Sequence, residues 1–418
     1  MANYGNVRAV SRAVAVSGIG VVSPFGTTQQ SFVDNLLQGR SAIAPLAGFD
    51  TGDCAATLAA QATTFRPSDW LPPMRLRRLE RTGVYAAAVA RLAFDDAARP
   101  PMPEGDDRAG VVLGTWTAGG ESSESYLEAF FTGGPQMAPA LLFESTVGNA
   151  PASFVALEHK LRGPNATISH REASGIVALA SAVEMLRLGR ASRLLAGGVD
   201  VIFETFYRAC DRFGIMSPAA TFSPAVAPFD RARGGFVLGE GGAALWLESS
   251  AAAPRASTGQ HGWIIGAAES STAVPLNTWP SSPEPLVRTM LGALDDAGLR
   301  PADVHVVYAS ANATRDLDRV EAEALTHLFA GSGTIVTSIK GAVGEAGVSG
   351  ATACAAALLC GRHGQVPPIA GLVRPDAVAD RLNLARAATP APGPIALVNG
   401  FASGGTLCSL VVRVRTPA

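Results

Sequence analysis

Short β-branched, apolar runs alternate along this chain with longer runs rich in Ala and Leu, and this alternation restricts the fold more than any other feature. The apolar runs are continuous, so the strands they form must be covered on both faces, as in α/β proteins whose sheets lie between helices. The spacing predicts strands over 13–17, 111–116, 193–196, 243–247, 263–267, 305–309, 334–337, 395–398 and 408–412. It predicts helices over 28–37, 78–98, 146–160, 173–188, 284–297, 318–329 and 347–359. Such a fold consumes apolar side chains, and the 418 residues supply them: 48% are apolar and 16% charged. The stretch 249–259, rich in Ala and Ser with Pro254 and Gly259, divides the chain into two unequal parts, 1–255 and 256–418. Each part opens on a strand and continues in a similar strand–helix succession, which predicts a duplicated α/β unit.

Charge and cysteine content exclude several classes. A net charge of −2 argues against nucleic-acid and polybasic membrane partners. Only two of the 33 basic residues are lysines, Lys160 and Lys340. Five cysteines without a C-x-x-C pair give no disulfide framework and fit a reducing compartment. No apolar run reaches the roughly 18 residues of a membrane span. Arg8 and Arg12 precede an apolar stretch in the manner of a secretory leader, but Gly18 and Gly20 break that stretch into a strand and a turn. A cytoplasmic protein is expected. The stretch SGIGVVS at 17–23 approaches the dinucleotide fingerprint, yet Ser23 replaces its third glycine and Pro24 follows where a helix should open. His170-Arg171-Glu172 matches half of a zinc deaminase motif whose cysteine half is missing. No cofactor and no metal are expected.

Four ordered stretches remain: GIGVVSPFG near the start; NATISHREASG at 165–175 with LLAGGVD at 194–200; PFDRARGGFVLGEGGAALWLE at 228–248; and TSIKGAVGEAGVSGA at 337–351 with NGFASGGTLCSL at 399–410. In this order they resemble the β-ketoacyl synthases of the thiolase superfamily over almost the whole chain. The resemblance implies a five-layered αβαβα fold built from two related halves, and a dimer. It also implies a chemistry: a cysteine at the start of a buried helix attacks an acyl thioester, and two histidines stabilise the charge formed when malonyl carrier protein loses carbon dioxide.

Carried over position by position, that chemistry is missing. Glu172 stands where the nucleophilic cysteine belongs, Ser310 at the first histidine and Glu345 at the second. Lys340 is retained, and Ser403 replaces the aromatic residue of the gate. No catalytic residue is therefore expected. Glu172 has three readings: a carboxylate placed at a helix start, where the macrodipole contributes roughly 0.3–1 kcal/mol; half of a Glu172/Glu345 acid–base pair; or a partner of Arg171 or Lys340 in an internal ion pair. Lys340 is expected to hold its loop or pair with Glu345.

A ketosynthase-like chain without its nucleophile resembles the chain-length factors of type II polyketide synthases, although typical members carry Gln at the cysteine position. The resemblance implies an active ketosynthase as heterodimer partner, an acyl carrier protein bearing the growing chain, and a tunnel at the subunit interface. In that frame Thr117, Ser122, Ser123, Tyr126, Leu127, Phe130 and Phe131 are the candidate tunnel residues. The bulky ones recur at helical spacing, a pattern that ordinary core also produces. The segment 140–151 is the candidate contact with the partner. Other readings are a malonyl carrier protein decarboxylase, another acyl-transfer enzyme using Glu172 and Glu345, and a structural homodimer.

Overall fold

The computed structural model describes residues 13–99, 104–250, 252 and 261–415. Arg8 and Arg12, and the 255/256 boundary between the expected halves, lie outside the described residues. Eleven strands form one sheet in the order Asn383–Leu384, Ile335–Thr337, Val306–Tyr308, Ile395–Phe401, Thr406–Val414, Gly262–Ser271, Val14–Val22, Gly241–Glu248, Arg193–Asp200, Ala109–Gly114 and Asn165–Ile168. The pairing repeats outward from the central Val14–Val22/Gly262–Ser271 contact. On either side come two antiparallel junctions followed by two parallel ones, and Asn383–Leu384 adds a further parallel strand at one edge.

Helices complete five layers. Arg81–Asp96 and Ala150–Glu158 cover the outer face of the first half, and Glu284–Ala297 with Arg315–Phe329 cover that of the second. Between the two half-sheets lie Ser174–Arg187 and Ser349–Arg362, packed on one another inside the largest apolar cluster. Their composition explains the closeness: a Cβ on Gly350 would lie 2.6 Å from Ile176 Cβ. Only small residues admit such an approach.

All nine expected strands form, and so do the seven helices, with shifted ends. Gly18 and Gly20 do not end the first strand, contrary to expectation; Val14–Val22 runs through both, with a bulge between Val16 and Gly18. They are there for helix contact. A Cβ on either would lie 2.1 Å from a carbonyl oxygen of Arg81–Asp96, that of Ala93 or of Val89. The spacing misses Asn165–Ile168, which is short and polar, and the helix Glu204–Arg212, while the helical spacing of Tyr126, Leu127, Phe130 and Phe131 falls in the helix Gly120–Gly133. Among the described residues no helix is long and apolar enough to cross a membrane.

Candidate functional site

The edge strand Asn165–Ile168 leads into a tight turn. His170 N–H donates to Ser174 Oγ at 2.9 Å, and that hydroxyl donates to the Arg171 carbonyl at 2.6 Å. Arg171 is left-handed, with φ 52°, and Glu172 occupies the 3-10 turn Arg171–Ala173 directly before the helix Ser174–Arg187. Glu172 is 1% exposed. Its Oε1 accepts from Ser403 Oγ at 2.8 Å, its Oε2 accepts from Ser403 N–H at 3.2 Å, and Arg171 Nε lies 3.5 Å from Oε2. Burial raises the Glu172 pKa; the Arg171 charge opposes that and the charge of Glu345 adds to it. Ser403, expected at the gate, is thus bound to the residue expected at the nucleophile.

The other positions form a second buried group. Lys340 Nζ donates to Glu345 Oε2 and to the Ser310 carbonyl, both at 2.7 Å. Asn312 Nδ2 donates to the same Glu345 oxygen at 2.8 Å, and Ala346 N–H reaches the other at 3.1 Å. Ser310 Oγ accepts from Phe401 N–H at 2.9 Å. Lys340 therefore pairs with Glu345, and each carboxylate has its own partners.

Two acids that sequence reasoning missed support this frame. Asp200, the last residue of LLAGGVD, accepts from the N–H groups of Trp116 (2.7 Å), Thr117 (2.9 Å) and Val348 (2.7 Å), joining the first half-sheet to the start of Ser349–Arg362. Glu321 accepts from Ser310 N–H and Asn399 Nδ2, both at 2.9 Å. Burial pushes Glu321 up to about 7, against the lowering effect of those two bonds. A carboxyl raised by folding contributes stability that is fully present below its ordinary value of about 4.3 and lost as pH rises through about 7. Denaturation midpoints should therefore fall with pH across this window more steeply in the wild type than in Glu321→Gln. Parallel curves would exclude the shift.

The candidate tunnel residues divide. The Thr117 hydroxyl is committed, donating to Asp200 and accepting from Val201 N–H, both at 3.0 Å. Ser122 is buried, and Ser123 Oγ donates to the Thr146 carbonyl at 3.2 Å. Tyr126 and Phe130 are half-buried, whereas Leu127 and Phe131 are 47% and 77% exposed. Met137, Leu141, Phe143 (63% exposed) and Val147 extend this uncovered apolar face. The helix face that its spacing could assign to the core is not core in this chain. Cys354 and Cys360 are buried, and burial pushes both thiols up to about 12. Among the described residues, no group of three or more His, Cys, Asp or Glu side chains is placed to hold a metal ion.

The fold and these positions define a ketosynthase-type protein. The model of the β-ketoacyl synthase N-terminal domain matches residues 11–253, and that of the C-terminal domain matches 261–373. The chain belongs to the β-ketoacyl synthase family. It is 30% identical over 365 residues to the tetracenomycin polyketide synthase ketoacyl synthase beta subunit of Streptomyces glaucescens, covering 87% of this chain and 88% of that protein. It is 27% identical to 3-oxoacyl-(acyl-carrier-protein) synthase 2 of Coxiella burnetii, covering 96% and 98%. Among solved structures, a chain of the ishigamide ketosynthase/chain length factor superposes with a TM-score of 0.88 at 26% identity, covering 97% of this chain and 100% of that one.

Proposed function

We propose that this chain is the non-condensing, chain-length-setting subunit of a type II polyketide synthase, paired with an active ketosynthase that takes the growing chain from an acyl carrier protein. One observation carries the reading: the side chains at the reactive positions are replaced, and the replacements are bonded to the protein itself. Glu172 is held by Ser403, and Glu345 by Lys340 and Asn312. An ionised Glu345 would repel a forming enolate, and a carboxylate acyl adduct would be a labile anhydride. The carboxylates' separate partners disfavour an acid–base pair. Incubated alone with malonyl carrier protein, the chain should release acetyl carrier protein no faster than the uncatalysed background, followed by mass spectrometry. Turnover above background that disappears in Glu172→Ala would sink the proposal.

The uncovered face supports the partner. Among the described residues Asn165–Ile168 is an edge strand paired on one side, and the apolar face of 120–147 belongs to the same half. Open edges and large apolar patches are the features that subunit interfaces cover. With the partner in place, Tyr126 and Phe130 would border the tunnel, and a chain stops where packed atoms leave no room. Tyr126→Ala or Phe130→Ala should lengthen the product by one or more units, and Ser122→Phe or Ser123→Phe should shorten it. Mass spectrometry of products from the reconstituted pair reads this directly. One fixed length across all four active variants would move the ruler elsewhere.

A further inference from the structure

The helix Gly120–Gly133 is fastened at one end and uncovered at the other. Its first turn is held by side chains from elsewhere in the chain. The Glu80 carboxylate accepts from Gly119 N–H at 2.5 Å and from Ser122 N–H at 3.2 Å, donors that a helix start leaves without intrahelical partners. The contact is reciprocal. Glu121 accepts from the N–H of Arg81, first residue of Arg81–Asp96, at 3.1 Å and lies 3.6 Å from its guanidinium. Each helix thus closes the start of the other with a carboxylate.

Arg81 carries the contact inward. It pairs with Glu240, the acid of the LGEGG stretch at 238–242, and donates to the Ile202 carbonyl at 3.1 Å. Glu240 in turn accepts from Ala62 N–H and Ile202 N–H, both at 3.1 Å, and from the Tyr85 hydroxyl at 3.2 Å. Glu124 accepts from Thr205 N–H at 3.2 Å. The Phe203 ring lies so close under Gly120 that a Cβ there would meet Cζ at 2.3 Å. Glu80 and Glu240 are both buried. Buried carboxylates are tolerated only with such partners, so their geometry is fixed.

We propose that Glu80, with its reciprocal partner Glu121, is a positioning residue for product length: it sets the angle of Gly120–Gly133 and so the depth at which Tyr126 and Phe130 stop the growing chain. The proposal rests on the preceding reading that this helix borders the tunnel. Phe130 lies about 15 Å along the axis from Gly120. A tilt of about 10° at the anchored turn would move it by about 2.6 Å. One two-carbon unit of an extended chain occupies roughly 2.5 Å. A small loosening at Glu80 therefore has the size of one extension step.

The test uses the assembled pair of this chain with its active ketosynthase, in wild-type form and as Glu80→Ala, Glu80→Gln, Glu121→Ala and Tyr126→Ala. Product lengths are read by mass spectrometry, and amide exchange is followed over 120–133. Glu80→Ala should spread the product over neighbouring lengths, with total elongation within about twofold of wild type. It should also speed exchange in the helix by about tenfold or more. Glu80→Gln keeps one acceptor oxygen but sets an NH2 against the other N–H, and should spread the product less than Glu80→Ala. If Glu80→Ala does not assemble, Glu121→Ala, whose side chain reaches solvent, gives the same readout. Unchanged lengths in the Glu80 and Glu121 variants while Tyr126→Ala shifts them would overturn the anchor and leave the tunnel standing. Unchanged lengths in all of them would overturn both.

Discussion

Lys340→Met should destabilise the chain by about 3–5 kcal/mol, the usual cost of stripping one partner from a buried ion pair. The Lys340 and Glu345 side chains are 5% and 0% exposed, so water cannot replace the lost ammonium. Glu345 would keep only the Asn312 amide and the Ala346 N–H, and the Ser310 carbonyl would lose its Lys340 donor. Glu345→Gln added to Lys340→Met should restore most of the loss, because a neutral amide needs no counter-charge. Urea denaturation of the three proteins measures this. A single variant within about 1 kcal/mol of wild type would show that the pair does not carry this charge interaction.

Phe131→Asp and Phe143→Asp should each weaken assembly with the active ketosynthase by at least about a hundredfold, or about 2.8 kcal/mol. Aromatic side chains at the centre of an interface carry much of its energy, and a carboxylate buried there without a partner adds its own desolvation cost. Both phenylalanines already face solvent in the single chain, so neither change should lower its thermal stability. Leu188→Asp is the control: Leu188 is also exposed but lies beyond the far end of Ser174–Arg187 from Glu172. Gel filtration of co-expressed subunits separates the outcomes. Undiminished assembly in both phenylalanine variants would show that the partner does not cover this face. Should the wild-type chain elute as a self-pair with the ketosynthase apart, the face belongs to a second copy.

The strands were legible because each centres on a short, mainly apolar run, which suits a strand covered on both faces. Asn165–Ile168 escaped because an edge strand needs no such run, and Asn383–Leu384 because two residues carry no period. Gly18 and Gly20 misled because glycine as turn-former and glycine as contact surface look alike in one dimension. The face of Gly120–Gly133 was ambiguous for a related reason: a subunit interface has the same three-to-four spacing as a core. The site was legible only through the family resemblance, which supplied positions without partners. Nothing in the spacing ties Glu172 to Ser403, 231 residues away. Glu80 and Glu321 gave no warning, because an acid becomes structural through the N–H groups that converge on it. Asp200 and Glu240 stood in stretches distinctive enough to attract notice, but the stretches do not show which N–H groups meet them.

The strand Thr406–Val414, last in sequence among the described residues, lies inside the sheet between Gly262–Ser271 and Ile395–Phe401. On the ribosome, Gly262–Ser271 emerges roughly 135 residues before this neighbour, a wait on the order of ten seconds at ordinary elongation rates. Throughout that interval it offers a bare ladder of N–H and C=O groups to any other nascent chain. When closure comes, the apolar face of 120–147 still needs covering. The yield of folded protein therefore depends on quick delivery of this closing strand and, on the proposed pairing, on a partner made nearby in matching amounts. Translating the proposed pair of subunits side by side from one message would meet the second demand.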